Sequence, residues 1–421
     1  MYKEESLKTK NGITVYYYKN PSIHSFNISL FLRAGSMFEE KSGISHFLEH
    51  AAIRNVNKIM DGTLYGMLDK NGMEFNASTF SEMIQFYVSG ATDSFSLGAE
   101  IISKLLSPII LPTAEISAER DRIKAEIRES DDRTSLLSFT NNIVHEGTSL
   151  ARSITGTLGG VSKITQKGLE EYRKSVMSAE NVFFYVTGCF SDEDIARLAS
   201  EIEKYTIEKG KMRENIAPVT EKFGKRETNV HIKNADFTML RFSFDMDMSK
   251  IKMAEGDLLY DILLGGYNSR FFIEMSEKRG LFYDISGSSE RYKNIGTFAF
   301  AFEVKNGSIY EAAETVIELI REFKEKKVEP ASMMKAGYTK NARLLYDDSR
   351  ELNFTFAYDN HIMDAGYVSV EQRAEVYSAV TPDDIMRVAK LIFTTENLTL
   401  TIKGNKKKID INRLEKIVKE L

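Results

Sequence analysis

Hydrophobic and polar residues alternate from Phe26 to Leu32, so that Phe26, Ile28, Leu30 and Leu32 share one side of an extended chain. This is the period-two signature of a strand with one buried face. A shorter strand is predicted at Thr14 to Tyr18, just after an Asn11-Gly12 turn. Helical patterns follow around Gly43 to Asn57 and Leu64 to Lys70. The Asn71-Gly72 turn signal then leads into strands at Glu74 to Thr79 and Met83 to Val88. Further helices are predicted around Ser94 to Leu106 and from Thr113 to about Ile143, where Ile116, Ile123, Ile127 and Leu136 recur at helical intervals. The apolar strand Val182 to Thr187 precedes a helix capped by Ser191, with Asp192, Glu193 and Asp194 in its first turn.

Residues 206–226 are polar, rich in Lys and Glu, and hold Gly210, Pro218 and Gly224, so they read as a linker. The grammar then repeats. Strands are expected at Asn229 to Ile232 and Thr238 to Phe244, helices at Ala254 to Leu264 and Ser269 to Lys278, and strands again at Tyr283 to Gly287 and Thr297 to Val304. Long helices follow at Ile309 to Phe323 and Pro330 to Tyr346. Thr381-Pro382 opens another with Pro at its first position, and Leu398 to Ile402 is the last strand. The expected fold is α+β, with two tandem homologous α/β-sandwich domains at 1–205 and 227–421.

Composition narrows the class. At 421 residues the chain is too long for one core, and a hydrophobic fraction of 42% is enough for two. A net charge of −5 without a basic stripe argues against nucleic acid as the partner, and Lys406-Lys407-Lys408 reads as a solvated turn. The single cysteine, Cys189, excludes an internal disulfide and fits a reducing compartment. The N-terminus has no apolar signal region, and no stretch is long enough to cross a bilayer. The expectation is a cytoplasmic enzyme with no membrane and no nucleic-acid partner.

Candidate chemistry is concentrated in His46-Phe47-Leu48-Glu49-His50. On a helix, His46 and His50 sit one turn apart on one face, where both imidazoles can meet one cation. Glu49 projects toward the same face, in reach of a water in an open coordination position. This order, H-x-x-E-H, is the inverse of the H-E-x-x-H zinc-protease motif. The same pattern also fits a core helix, with Ile44, Phe47 and Leu48 inward and the histidines at a polar edge. A third ligand can be sought on the charged helix after Thr113, where Glu119 and Glu126 lie two turns apart on one face. One carboxylate could ligate a metal and the other orient a histidine; alternatively both belong to a solvated face.

The run Arg33-Ala34-Gly35-Ser36-Met37-Phe38-Glu39, followed by Gly43 and the H-x-x-E-H box, resembles the pitrilysin, insulinase and mitochondrial processing peptidase family. In that family a Glu-Arg pair precedes the third zinc ligand by seven positions, about 76 residues beyond the second His. Glu119-Arg120 and Glu126 match both spacings. The resemblance implies His46, His50 and Glu126 as Zn2+ ligands, Glu49 as general base and Glu119 as the acid that orients a histidine. It also implies the paired-domain fold, half of a clamshell, and unfolded peptides as substrates. Phe75-Asn76-Ala77-Ser78-Thr79 resembles the family's Asn-Ala strand beside the zinc, which makes Asn76, Ala77 and Ser78 candidate substrate contacts along a sheet edge. The segment Gly147 to Thr157 resembles a family loop near the site, with no chemistry assigned to it.

The second half departs from the family. Asn268-Ser269-Arg270-Phe271-Phe272 and Lys278-Arg279-Gly280-Leu281-Phe282-Tyr283 resemble its C-terminal motif, in which an Arg seven residues before the Tyr joins it in contacting substrate. Tyr283 is present, but Ser276 stands where the Arg would be, and a neutral hydroxyl cannot make the charge-assisted contact. Some bacterial members are two-subunit enzymes with the zinc box on one chain and the Arg/Tyr motif on the other. The resemblance therefore implies the zinc subunit of a heterodimer whose paralogous partner supplies the Arg. A homodimer tolerating Ser276 is the next reading. A catalytically silent structural or peptide-binding subunit is the alternative function.

Overall fold

The computed structural model describes residues 2–129, 135–225, 227–232 and 236–421. Among the described residues, eleven strands form two sheets. The first holds β1 (Glu4–Lys8), β2 (Thr14–Lys19), β3 (Ser25–Leu32), β4 (Glu74–Thr79), β5 (Ile84–Ala91) and β6 (Val182–Gly188), in the spatial order β1-β2-β6-β3-β5-β4. Within this sheet, among the described residues, only β2 and β6 pair in parallel. The alternation read from Phe26 to Leu32 is realised: Phe26, Ile28, Leu30 and Leu32 join Phe86, Val88, Phe184 and Val186 in one buried core.

That core is closed by helices α1 (Ile44–Ile59), α2 (Leu64–Asn71), α3 (Phe95–Ser103) and α4 (Thr113–Glu129). Helix α1 buries Phe47, Leu48, Ala51 and Val56, so its apolar stripe fixes which way the intervening polar residues face. Helix α4 ends at Glu129, and the expected continuation across 130–134 lies outside the described residues.

The second sheet holds β7 (Thr228–Ile232), β8 (Phe237–Asp247), β9 (Ile285–Arg291), β10 (Ile295–Lys305) and β11 (Leu398–Gly404), ordered β7-β11-β8-β10-β9. Phe242, Phe300 and Phe302 stack along one face, Phe242 and Phe300 with centroids 5.2 Å apart. Each sheet thus carries helices on an apolar face, and the chain has the two-domain mixed α/β architecture expected of it.

The compact units interleave in sequence. One comprises Met1–Asp131, Arg152–Asn215 and Asn341–Arg373; the other comprises Asp132–Ala151, Ile216–Lys340 and Ala374–Leu421. In the first unit the helix Ser349–Ala357 and the wider helical turn Tyr358–Ile362 cover the second face of the sheet. Asn353 Nδ2 donates to Tyr185 O at 2.8 Å and to Asn27 O at 3.3 Å, and the His361 ring stacks on Tyr16 with centroids 3.7 Å apart. In the second unit the helix Leu136–Val144, from the first half of the sequence, meets the sheet through a 2.6 Å hydrogen bond between Thr140 and Thr401.

Candidate metal centre

Gly43 caps the start of helix α1, and its φ of +86° suits glycine. A side chain there would also collide with the loop at Thr155 and Gly156: an added Cβ would lie 2.9 Å from Thr155 O. Gly156 faces the same constraint, 2.5 Å from Gly43 Cα. Within the segment 147–157, to which the sequence lent no chemistry, Gly156 thus packs backbone to backbone against the start of α1. The first turn of α1 is capped from a distance. The buried Glu39 carboxylate accepts from Gly43 N at 2.7 Å and from Ser45 N at 3.2 Å, satisfying two helix-start donors.

One turn further on, the rings of His46 and His50 stand 4.6 Å apart at 72°. Glu126 reaches both from α4: His46 Nε2 lies 3.6 Å from one of its oxygens and His50 Nε2 lies 3.6 Å from the other. One ligand atom from each residue falls within 4.8 Å of the other two. Bonds of about 2.0–2.2 Å to a tetrahedral ion set donors roughly 3.3–3.6 Å apart, so this set fits a divalent metal of the zinc type. Burial, reinforced by the charge of His50, pushes the His46 imidazole down to about 4. His46 therefore stays neutral at pH 7, with a lone pair to offer.

Glu119 is 1% exposed and places Oε2 3.4 Å from His50 Nδ1. Burial raises its carboxyl, but His50 and Arg54 pull it further the other way, and the net position lies below the ordinary value. The two acids, which helical spacing alone left interchangeable and the resemblance assigned separate roles, occupy different places: Glu126 at both Nε2 atoms, Glu119 behind His50.

Glu49 is half-buried and accepts a hydrogen bond from Thr79 Oγ1. Burial raises its carboxyl, against the opposing pull of Thr79 and His50. Thr79 was not among the residues singled out from sequence, although it ends the strand that was.

That strand, β4, is the last in its sheet. It pairs with β5 alone, so its outer edge has no partner among the described residues. Asn76 joins Glu49 and His50 in lining a cavity of about 780 Å³ that runs past Arg54 and Lys58 to Tyr65. Ala77 and Ser78 lie on the same strand, but they do not line the cavity.

Tyr283 belongs to the second unit, and its placement differs from expectation. The strand begins at Ile285 rather than at Tyr283, which sits in the preceding loop at 96% exposure. The buried neighbours Leu281 and Phe282 anchor that loop, and Ser276 Oγ donates to Phe282 O at 3.0 Å. The two nearby cations are engaged within the second unit. Lys278 pairs with Glu274 at 2.7 Å, and Arg279 donates to Thr315 Oγ1 at 2.9 Å. Among the described residues, no helix is long and apolar enough to cross a membrane.

Known proteins resemble this chain in sequence and in fold. Residues 14–158 match the family described as Insulinase (Peptidase family M16), and residues 163–336 match the Peptidase M16 inactive domain. An uncharacterized zinc protease from Rickettsia felis is 25% identical over 94% of this chain and 97% of its own length. A probable mitochondrial-processing peptidase subunit beta from Arabidopsis thaliana is 24% identical over 46% of this chain and 37% of its own length. In the crystal structure of a protease from Helicobacter pylori the same fold recurs, with a TM-score of 0.82 at 17% identity, over 96% of this chain and 100% of that one. With the H-x-x-E-H helix in the half that matches the insulinase description, this chain belongs to the M16 peptidase family.

Proposed function

We propose that this chain is a zinc-dependent endopeptidase acting on unfolded peptides, in a chamber completed by a second subunit. The observation that carries the reading is the convergence of His46, His50 and Glu126 within 4.8 Å, with Glu49 on the intervening turn. Zinc held by those three residues supplies a Lewis acid that polarises the scissile carbonyl and acidifies water. Glu49 takes the proton of the attacking water on its carboxylate and delivers it to the leaving amine. The Thr79 hydrogen bond holds that carboxylate, and Glu119 fixes the His50 ring through Nδ1. A peptide adds to the open edge of β4, past Asn76, Ala77 and Ser78, and Tyr283, fully exposed on its loop, is a further candidate contact for substrate.

The partner reading rests on Ser276. Its hydroxyl is engaged by Phe282 O, and Lys278 and Arg279 are engaged elsewhere. The missing guanidinium then comes from a paralogous chain; a second copy of this chain is the next candidate. A relative whose name is that of a subunit supports pairing. A cytoplasmic location belongs to the same reading and rests on the lone cysteine.

The test is zinc content, together with cleavage of a quenched, unstructured peptide library, by the chain alone and mixed with a paralogue carrying the Arg/Tyr motif. About one zinc per chain and cleavage only in the mixture is the expected result. Cleavage by the chain alone overturns the partner requirement. Zinc-free protein inert in every mixture leaves the silent subunit as the function.

A further inference from the structure

The metal centre is one end of a longer ladder between two facing helices. On α1 the residues at four-residue intervals are His46, His50, Arg54 and Lys58, and on α4 the facing acids are Glu126, Glu119 and Glu115. Arg54 sits at the middle rung and forks across two carboxylates: Nη1 is 2.6 Å from Glu119 Oε1 and Nε is 3.0 Å from Glu115 Oε2. Lys58 closes the outer rung at 3.2 Å from Glu115.

We propose that Arg54 is a positioning residue for the metal site, acting through Glu119 on His50. A carboxylate that accepts from a guanidinium on Oε1 cannot rotate freely, so Oε2 stays turned toward His50 Nδ1 at 3.4 Å. That contact keeps the ring proton on Nδ1 and leaves the Nε2 lone pair facing Glu126. Arg54 also supplies the counter-charge that a carboxylate this deeply buried requires. Arg122 offers Glu119 a second contact at 3.2 Å, but its side chain is 67% exposed and its charge is screened by solvent. The guanidinium is suited to this task because one rigid fork meets both acids, which a lysine ammonium cannot reproduce.

This inference rests on the reading of His46, His50 and Glu126 as ligands. The experiment measures the Kd of zinc for the full-length chain by competition with a chromophoric chelator. Arg54→Met is expected to weaken zinc about 10- to 100-fold, the range seen when outer partners of metal-binding histidines are removed. Lys58→Met is expected to leave the Kd within about twofold, since it touches only the outer rung. In a Glu119→Gln background, Arg54→Met is expected to add less than about threefold, because its effect passes through that carboxylate. An unchanged Kd in Arg54→Met, or an equal loss with and without Glu119, overturns the proposal. If Arg54→Met does not fold, Arg54→Lys carries the same comparison: a loss of at least about threefold supports it and an unchanged Kd overturns it. Wild-type protein that takes up no zinc overturns the ligand assignment itself, a result distinct from equal binding by wild type and variant.

Discussion

At the scale of single residues, spacing and long-range contact divide what can be read in advance. His46 and His50 are legible because one helical turn separates them, and Glu119 and Glu126 because two turns do. The hydroxyl of Thr79 against Glu49 and the guanidinium of Arg54 between two acids join residues 30 and more positions apart, which no local period encodes. Two outcomes follow at this scale. Glu49→Gln should retain zinc while peptide cleavage falls by at least about 100-fold, the lower end of what a positioned proton carrier contributes. Equal loss of zinc and activity would instead make Glu49 a structural residue. Glu39→Ala strips two acceptor contacts from the start of α1 and should cost roughly 1–2 kcal/mol in urea denaturation, as other lost helix caps do. No change in the urea midpoint would show that the cap is dispensable.

At the scale of elements, the strands with clean alternation were found near their observed bounds, and β4 coincides with its expected range. Strand β1 escaped notice because Glu4-Glu5-Ser6-Leu7-Lys8 carries one apolar residue and lies at a sheet edge, mostly exposed. The helix Ser349–Ala357 was also missed. It fills the second face of the first sheet, where Asn27, Ser29 and Thr187 are fully buried, so its partners look like solvent-facing residues. From that helix, Arg350 donates to Glu74 on β4 at 2.7 Å and to the Tyr87 hydroxyl on β5 at 3.1 Å. These contacts steady the edge to which a peptide would add. Arg350→Ala is expected to raise KM by up to about fivefold, the factor equivalent to ~1 kcal/mol for a half-exposed ion pair, with kcat little changed. A fall in kcat at constant KM would place the effect elsewhere.

At the scale of the whole molecule, the sequence shows two halves in succession, whereas the compact units exchange segments. A linker-like composition at 206–226 marks irregular chain, but composition carries no information about which later helix returns to the first sheet. A fragment ending at residue 225 lacks Asn353, Phe356 and His361, and is expected to unfold without cooperativity and to bind a hydrophobic dye. A sharp thermal transition in that fragment would show that the first sheet stands without its cover. The returning segment also brings a titratable contact. Burial raises the Glu4 carboxyl, but His361, Tyr185 and Asn360 lower it by more, and its net position is below the ordinary 4.5. A carboxyl lowered on folding contributes stability above its unfolded value and loses it as pH falls through the folded one. The urea midpoint should therefore drop more steeply below pH 4.5 in wild type than in Glu4→Gln, and parallel curves would exclude the contact.

The late return of residues 341–373 also orders events on the ribosome. Domains ordinarily complete themselves as they emerge, at about 5–20 residues per second. Here the sheet beside the candidate metal centre has all its described strands by residue 188, yet the helix that covers its second face ends at Ala357. At that rate the nascent sheet waits roughly 10–30 s for its cover. A chain broken off during synthesis thus carries the complete H-x-x-E-H box on a sheet whose second face has not yet received its cover.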